Sequence, residues 1–369
     1  MHRSEPPREQ ISVYENARKF VRCSTERCSS HLSTEQSPEV SVVIVSWNTC
    51  AVTRACVRSI VNKCIGRSME VIVVDNASTD DTVRDLESEF PGITIVCNNH
   101  NKGFAAANND GFRFARGRYV LLLNSDTVVH DDVVDKTVRF ADSNPRIGVV
   151  GCRAIDVDGN QQSTMFSYLS LTRVFWNLII PNRWLRRSRL FGKGRYVGLD
   201  LNQIHEVDVV SGCFMLVRRE VLDTVGGLDG EFFMYGEEME WCFRIKQAGW
   251  RVTYFPGAAY THFGGISASR CQSEMNVEMA RGQLLFLLKA HGAFKARIAA
   301  CLMLLRDLPR ALLWRVMAPV PGLRTSHFRQ SIAIAVERLP FLIHVITSRK
   351  IESCLLRSQW KRVAQRVAV

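Results

Sequence analysis

Four apolar runs in the first third of the chain end in the same kind of residue. EVSVVIVSW (39–47) gives way to Asn48-Thr49, and MEVIVVDN (69–76) ends at Asp75-Asn76 before Ala77-Ser78. ITIVCN (93–98) ends at Asn98-Asn99, and the run beginning at Tyr119 stops at Asn124-Ser125-Asp126. Runs this apolar are strands buried on both faces. Residues 51–64, 80–90, 104–116 and 131–142 between and after them have helical character, and IGVVGC (147–152) reads as a fifth strand. Buried strands alternating with helices predict an α/β fold, a mostly parallel sheet with helices on both faces.

In such a sheet ligands bind outside the carboxyl ends of the strands. One polar strand end can be a helix cap, whereas four on one rim point to a site. Asp126 alone leaves both readings open, as the cap of the helix near 131 or as the floor of a pocket. The loop after the first strand, SWNTCAVTR, contains no glycine, so the G-x-G-x-x-G fingerprint is missing, and so is a G-x-x-x-x-G-K-[ST] loop. Phosphates are then not held by a glycine loop, and an acid carrying a divalent cation is the alternative.

The 369 residues are enough for a substantial core, and 46% hydrophobic with 23% charged is globular. The net charge of +12 sits at one end: from Arg281 to Val369 there are 16 Lys or Arg against 3 Asp or Glu. The first 38 residues are polar and read as a mobile leader with no apolar stretch of signal-peptide length. The 12 cysteines are scattered, with no C-x-x-C pair and no zinc-like Cys/His spacing. This favours a reducing, cytoplasmic compartment.

Between 153 and 206 the pattern weakens around FWNLIIPNRWLRRSRLFG (175–192), which reads either as an insertion lining an acceptor groove or as a surface excursion. Regularity returns at 207. Glu237, Glu238 and Glu240 open a helix running to about Ala248, Gly249 ends it, and WRVTYF is a further strand, with His262 soon after. The helix dipole favours acids in a first turn, but three in four positions behind FFMYG exceed what a dipole needs.

Taken in order, VSVVIVSWNT, VIVVDNASTDDT, NKGFAAANNDG, LLLNSDT and the segment from Val210 to Gly265 resemble the bacterial family 2 glycosyltransferases of rhamnosyltransferase type, over about residues 40–290. The resemblance implies a GT-A fold over 39–282, with a nucleotide-binding half (about 39–152) and an acceptor half (about 153–282). It also implies inverting transfer of a sugar from a nucleotide diphosphate to a hydroxyl, with Mg²⁺ or Mn²⁺. Carried across, it implies that Asp75 accepts from the ring imide of uracil or thymine, with Trp47, Asn48 and Ser78 lining the nucleoside pocket. Asn101, Lys102, Gly103 and Asn108 fall in the segment packed on the nucleotide. Asp126 is the last acid of the metal motif, which here reads Asn124-Ser125-Asp126, with Asn124 in place of the usual first acid. His262 falls near the metal and diphosphate. Glu238 stands where the family usually has an aspartate, as the general base, with Glu237 and Glu240 as alternatives. The implied donor is dTDP-rhamnose or a UDP-hexose.

Two other functions fit the sequence less well. A nucleotidyltransferase wants a glycine-rich basic loop after the first strand, and a silent sugar-nucleotide-binding protein is suggested only by the glutamate at 238. Nucleic-acid binding is disfavoured, because the basic tail is rich in aliphatic residues rather than stacking aromatics. The tail, 283–369, mixes apolar residues with Lys and Arg at helical intervals, interrupted at Pro309 and ended by Pro319 and Pro321. No run reaches the roughly 18 apolar residues of a membrane span. The tail fits amphipathic helices on the inner face of the cell membrane, bound to anionic lipid, beside a polyprenyl-diphosphate-linked glycan acceptor. The other reading is helices packed on the body.

Overall fold

The computed structural model describes residues 37–180, 196, 198–264, 272–317 and 326–356. The expected leader lies outside them apart from its last two residues. Most of the basic segment after Ile180 and the last residues of the tail are outside them as well.

The strands are β1 (Val40–Ser46), β2 (Met69–Asp75), β3 (Thr94–Cys97), β4 (Tyr119–Asn124), β5 (Thr127–Val129), β6 (Ile147–Ile155), β7 (Gln161–Gln162), β8 (Met165–Phe166), β9 (His205–Glu206), β10 (Val209–Val210), β11 (Phe214–Arg218) and β12 (Arg251–His262). The helices are α1 (Cys50–Lys63), α2 (Thr82–Glu89), α3 (Gly103–Phe112), α4 (Val133–Asp142), α5 (Leu171–Ile179), α6 (Arg219–Val225), α7 (Glu237–Gln247), α8 (Gln272–His291), α9 (Ala293–Met317), α10 (Ser326–Thr347) and α11 (Ile351–Leu355).

The main sheet runs β3-β2-β1-β4-β11-β6-β12-β5. Strands β1 to β4 are parallel, as expected from their alternation with helices, but β3 lies at the sheet edge and is only partly buried. The fifth strand, β6, does not pair with β4. Antiparallel β11 is inserted between them, and the short edge strand β5 runs antiparallel to β12. The sequence hid both features: FMLVR is as apolar as a parallel strand, and Thr-Val-Val is too short to stand out.

Side chains alternate across the sheet. Leu121, Leu123, Phe214 and Leu216 face the layer with Cys56, Val57 and Val134 of α1 and α4. Leu122, Met215 and Val217 face Trp241 and Ile245 of α7.

The C-terminal helices complete the second layer. Leu284, Phe286, Ala299, Met303, Leu342 and Leu355 are buried in the same cluster as Trp241. The apolar faces expected to lie on a membrane are thus largely turned into the protein. Pro309 does not interrupt α9, which passes through it, as α10 passes through Pro340. A proline forfeits one intrahelical hydrogen bond, and both helices continue through that loss. Among the described residues no helix is long and apolar enough to cross a membrane.

Candidate active site

Strand register builds the rim. Ser46 stands beside Asp75, Asp75 beside Cys97, and Val45 beside Asn124. The polar ends of four strands therefore lie side by side. Asn48 (φ 54) and Ala77 (φ 65) take left-handed conformations in the two loops that follow β1 and β2. These loops are tied together: the Asn48 N–H donates to Ser78 Oγ (2.9 Å) and the Thr79 N–H to Asn48 Oδ1 (2.7 Å). Trp47 is half-buried beside them. Asp75 is buried; its Oδ2 accepts from the Ser78 N–H at 3.0 Å, while Oδ1 is buried with no hydrogen-bond partner in the structure. Asp75 does not cap a helix, because α2 begins only at Thr82. A buried acceptor left unpaired costs about 1–3 kcal/mol, so this atom is suited to a donor from a bound molecule.

Asn76, which sequence reasoning did not single out, organises the next loop. Its Nδ2 donates to Asn101 Oδ1 (2.8 Å), and its Oδ1 accepts from the Lys102 N–H (3.0 Å) and from Asn98 Nδ2 (3.3 Å). The only available signal was its place directly after Asp75. Lys102 pairs with Asp110 at 2.8 Å. Gly103 has φ +77, and a Cβ there would lie 2.4 Å from the Phe233 carbonyl oxygen. Asn108 is buried and donates to the Phe104 carbonyl within α3.

The turn from β4 to β5 carries Asn124, Ser125 and Asp126. Helix α4 is capped by Asp132, whose side chain accepts from the Asp135 N–H, so Asp126 is not the cap. It is buried, and antiparallel pairing of β5 with β12 sets His262 opposite Thr127. Asp126 Oδ1 and His262 Nε2 are 3.4 Å apart. Gln162 Oε1 lies 2.8 Å from His262 Nδ1 and fixes the ring. Cys213 Sγ lies 3.5 Å from His262 Nε2 and accepts from Asn124 Nδ2. Ser125 is buried, with its Oγ 3.5 Å from Thr49 Oγ1. Burial acts to lower the His262 pKa, but its bonds to Asp126 and Cys213 prevail and push it up to about 11. Sequence reasoning missed Gln162 and Cys213, which come from a two-residue strand and from the inserted strand's entry.

The three glutamates at the start of α7 are separated by the structure. Glu240 is tied to Arg244 at 2.7 and 2.8 Å, and Arg244 also donates to the Val225 and Gly227 carbonyls. It forms a structural pair. Glu237 is buried with Oε2 unpartnered. Burial, then the charge of Glu238, push the Glu237 carboxyl well above the usual carboxylate value. Glu238 Oε2 accepts from the Gly236 N–H at 3.3 Å, and burial raises its pKa too. The preceding Tyr235 (φ 69) and Gly236 (φ 104) are both left-handed. Burial, then the charges of Glu237, Glu238 and Cys213, push the Tyr235 hydroxyl up to about 12.

Among the described residues no group of three or more His, Cys, Asp and Glu side chains could hold a metal ion by itself. The pair Asp126 and His262 suits an ion that takes one or two protein ligands and completes its shell with phosphate oxygens and water, as Mg²⁺ and Mn²⁺ do. With Nδ1 held by Gln162, Nε2 is the nitrogen turned toward Asp126, and it would serve as a ligand once a cation displaced its proton.

Strand register thus gathers the half-paired Asp75 carboxylate and the Asp126–His262 pair on one rim of the sheet. Residues 38–282 match the model of "Glycosyltransferase like family 2", and the chain belongs to that family and is a glycosyltransferase. It is 26% identical over 247 residues to the N-acetylglucosaminyl-diphospho-decaprenol L-rhamnosyltransferase of Mycobacterium tuberculosis, covering 62% of this chain and 77% of that protein. Over 106 residues it is 31% identical to the Escherichia coli UDP-Glc:alpha-D-GlcNAc-diphosphoundecaprenol beta-1,3-glucosyltransferase WfaP, 28% of this chain and 41% of that one. The mannosyltransferase PcManGT of Pyrobaculum calidifontis, solved with GDP-Man and Mn²⁺, superposes with a TM-score of 0.50 at 17% identity, covering 93% of this chain and 96% of that one. This likeness supports the GT-A fold expected from the sequence.

Proposed function

We propose that the enzyme moves a sugar from a nucleoside diphosphate, with inversion and with a divalent cation, to a hydroxyl of a lipid-diphosphate-linked glycan in cell-surface polysaccharide synthesis. The observation that carries the reading is the rim itself, where register aligns the orphan Asp75 acceptor with the turn bearing Asp126. In this reading Asp75 Oδ1 receives the imide N–H of uracil or thymine, while Trp47, Asn48 and Ser78 line the base and ribose. The ordered loop Asn101–Gly103 bounds the nucleotide. Asp126 and His262 hold the cation, which when bound stabilises the charge that builds on the leaving diphosphate.

Glu238 is the general base. It takes the proton of the acceptor hydroxyl as the oxygen attacks the anomeric carbon and the sugar–phosphate bond breaks. One carboxylate suffices for a single inverting displacement, and such a base contributes roughly 10²–10⁴-fold. Glu237 stands next in line; Glu240 is engaged elsewhere. The two relatives named above act on acceptors with a diphospho-polyprenol, which supports the acceptor class, and the rhamnosyltransferase supports dTDP-rhamnose as first donor, ahead of UDP-hexoses. The test is a screen of nucleotide sugars with Mg²⁺ or Mn²⁺ for release of the free nucleoside diphosphate. Release from no donor in the presence of a polyprenyl-diphosphate sugar would sink the reading.

A further inference from the structure

We propose that α8 is a positioning element for the reaction. One face of it, formed by Glu278, Arg281, Gly282 and Lys289, clamps the loop 229–236 and so fixes the start of α7. The proposal rests on the reading of that helix start as the base-bearing side of the site. The four residues recur at helical spacing on one side of α8, and each meets a different point of the loop. Lys289 Nζ pairs with Asp229 at 2.5 Å. Arg281 Nη2 donates to the Glu231 carbonyl at 2.9 Å. Glu278 lies close enough to the Phe233 and Met234 N–H groups for them to act against the rise that burial imposes on its pKa. At Gly282 the helix has no side chain, and a Cβ there would lie 1.8 Å from the Tyr235 carbonyl oxygen.

From its other side the loop is held by α3, where the Phe104 N–H donates to the Phe233 carbonyl at 2.6 Å beside Gly103. The loop is thus gripped between the nucleotide-side helix and the C-terminal layer. Its last two residues, Tyr235 and Gly236, stay in left-handed conformations; for Tyr235 this is strained and persists only where the surroundings over-determine it. Glu278 and Arg281 are fully buried and paired with each other. A buried pair is weak evidence for stability by itself. This one also satisfies the Glu231 carbonyl of the loop, and Arg281 Nη1 donates to the Leu355 carbonyl in α11. One guanidinium therefore ties the end of the described chain to the active-site loop.

The test uses Gly282→Ala and Arg281→Lys in the full chain, the first adding volume without touching charge. Both proteins should bind UDP or dTDP within about twofold of wild type and melt cooperatively. Amide exchange in 231–236 should speed up, and kcat should fall about a hundredfold, as a misplacement of 1 Å can cause. Unchanged exchange in 231–236 in both variants would overturn the proposal. So would a fall in kcat matched by lost nucleotide affinity, or wild-type kcat in Gly282→Ala. Turnover by Glu238→Gln addresses the base assignment alone, whereas exchange in the loop addresses the clamp alone.

Discussion

Asp126 Oδ1 and His262 Nε2 stand 3.4 Å apart, brought together only because β5 folds back against the far end of β12. If this pair holds the cation, removing either group removes its counter-charge to the diphosphate. Asp126→Asn is expected to lose most turnover while its melting curve stays cooperative. EDTA should silence the wild type, with Mn²⁺ or Mg²⁺ restoring it. Gln162→Ala, which frees the His262 ring, should weaken metal activation about 10–100-fold. Near-normal rates for Asp126→Asn, or indifference to EDTA, would remove the pair from the mechanism.

Glu238→Gln should cut transfer by roughly 10²–10⁴-fold while leaving affinity for UDP or dTDP intact, because the base faces the acceptor. The group must be ionised to act, and burial raises its pKa above 4.5. The acid limb of the kcat profile should therefore lie above that value, with rate lost as pH falls through it, and should vanish with the variant's activity. A variant that still transfers well would move the role to Glu237.

The polar strand ends were legible because a helix cap can explain one of them but not four on one rim, and parallel register aligns those tips. The inserted β11 and edge strand β5 were not legible: strand order depends on long-range pairing, which an apolar pentapeptide does not encode. For the same reason Gln162 and Cys213 escaped notice, since each reaches the site from a strand with no signal of its own. The tail's spacing did not say where each apolar face goes. Amphipathic spacing says only that one face seeks an apolar neighbour; here the neighbour is Trp241 and its surroundings.

Glu237 carries a stability prediction. Its folded pKa is raised, so above the usual 4.5 the unfolded chain releases a proton that the native protein keeps. Stability then falls as pH rises from that value toward the folded pKa. The groups that face Glu237 are Glu238, Tyr235, Glu278 and Arg281. Glu237→Gln, which cannot titrate, should flatten this slope. Thermal melts of both proteins across the pH range decide it; parallel slopes would refute it.

At the nucleoside end, Asp75→Ala removes the orphan acceptor and the Ser78 contact together. A hydrogen bond to a charged group is worth about 1.5–3 kcal/mol, so UDP or dTDP should bind roughly tenfold to a hundredfold more weakly by calorimetry. Unchanged affinity would mean that the base is read elsewhere.

The last prediction concerns the membrane. Deleting the C-terminal helices is no clean test, because they bury Leu284, Phe286, Leu342 and Leu355. Each such side chain is worth about 1.5–3 kcal/mol, against a total stability of only about 5–15 kcal/mol, so the truncated protein should unfold. What remains exposed is narrower. On α9, Leu305 (56%), Leu308 (40%) and Leu312 (56%) lie at the spacing of one helix face, and Phe294 is 79% exposed. With the basic excess of the C-terminal region, this face suits the surface of an anionic bilayer, each nearby Lys or Arg adding about 1 kcal/mol. The expected result is that wild type floats with liposomes containing anionic lipid at low salt and is released at high salt. Leu305, Leu308 and Leu312 changed together to Ser should leave melting unaltered and abolish flotation. Flotation equal to wild type in the triple variant would assign the membrane contact to another face, and a wild type that stays in the soluble fraction would remove the membrane from the proposal.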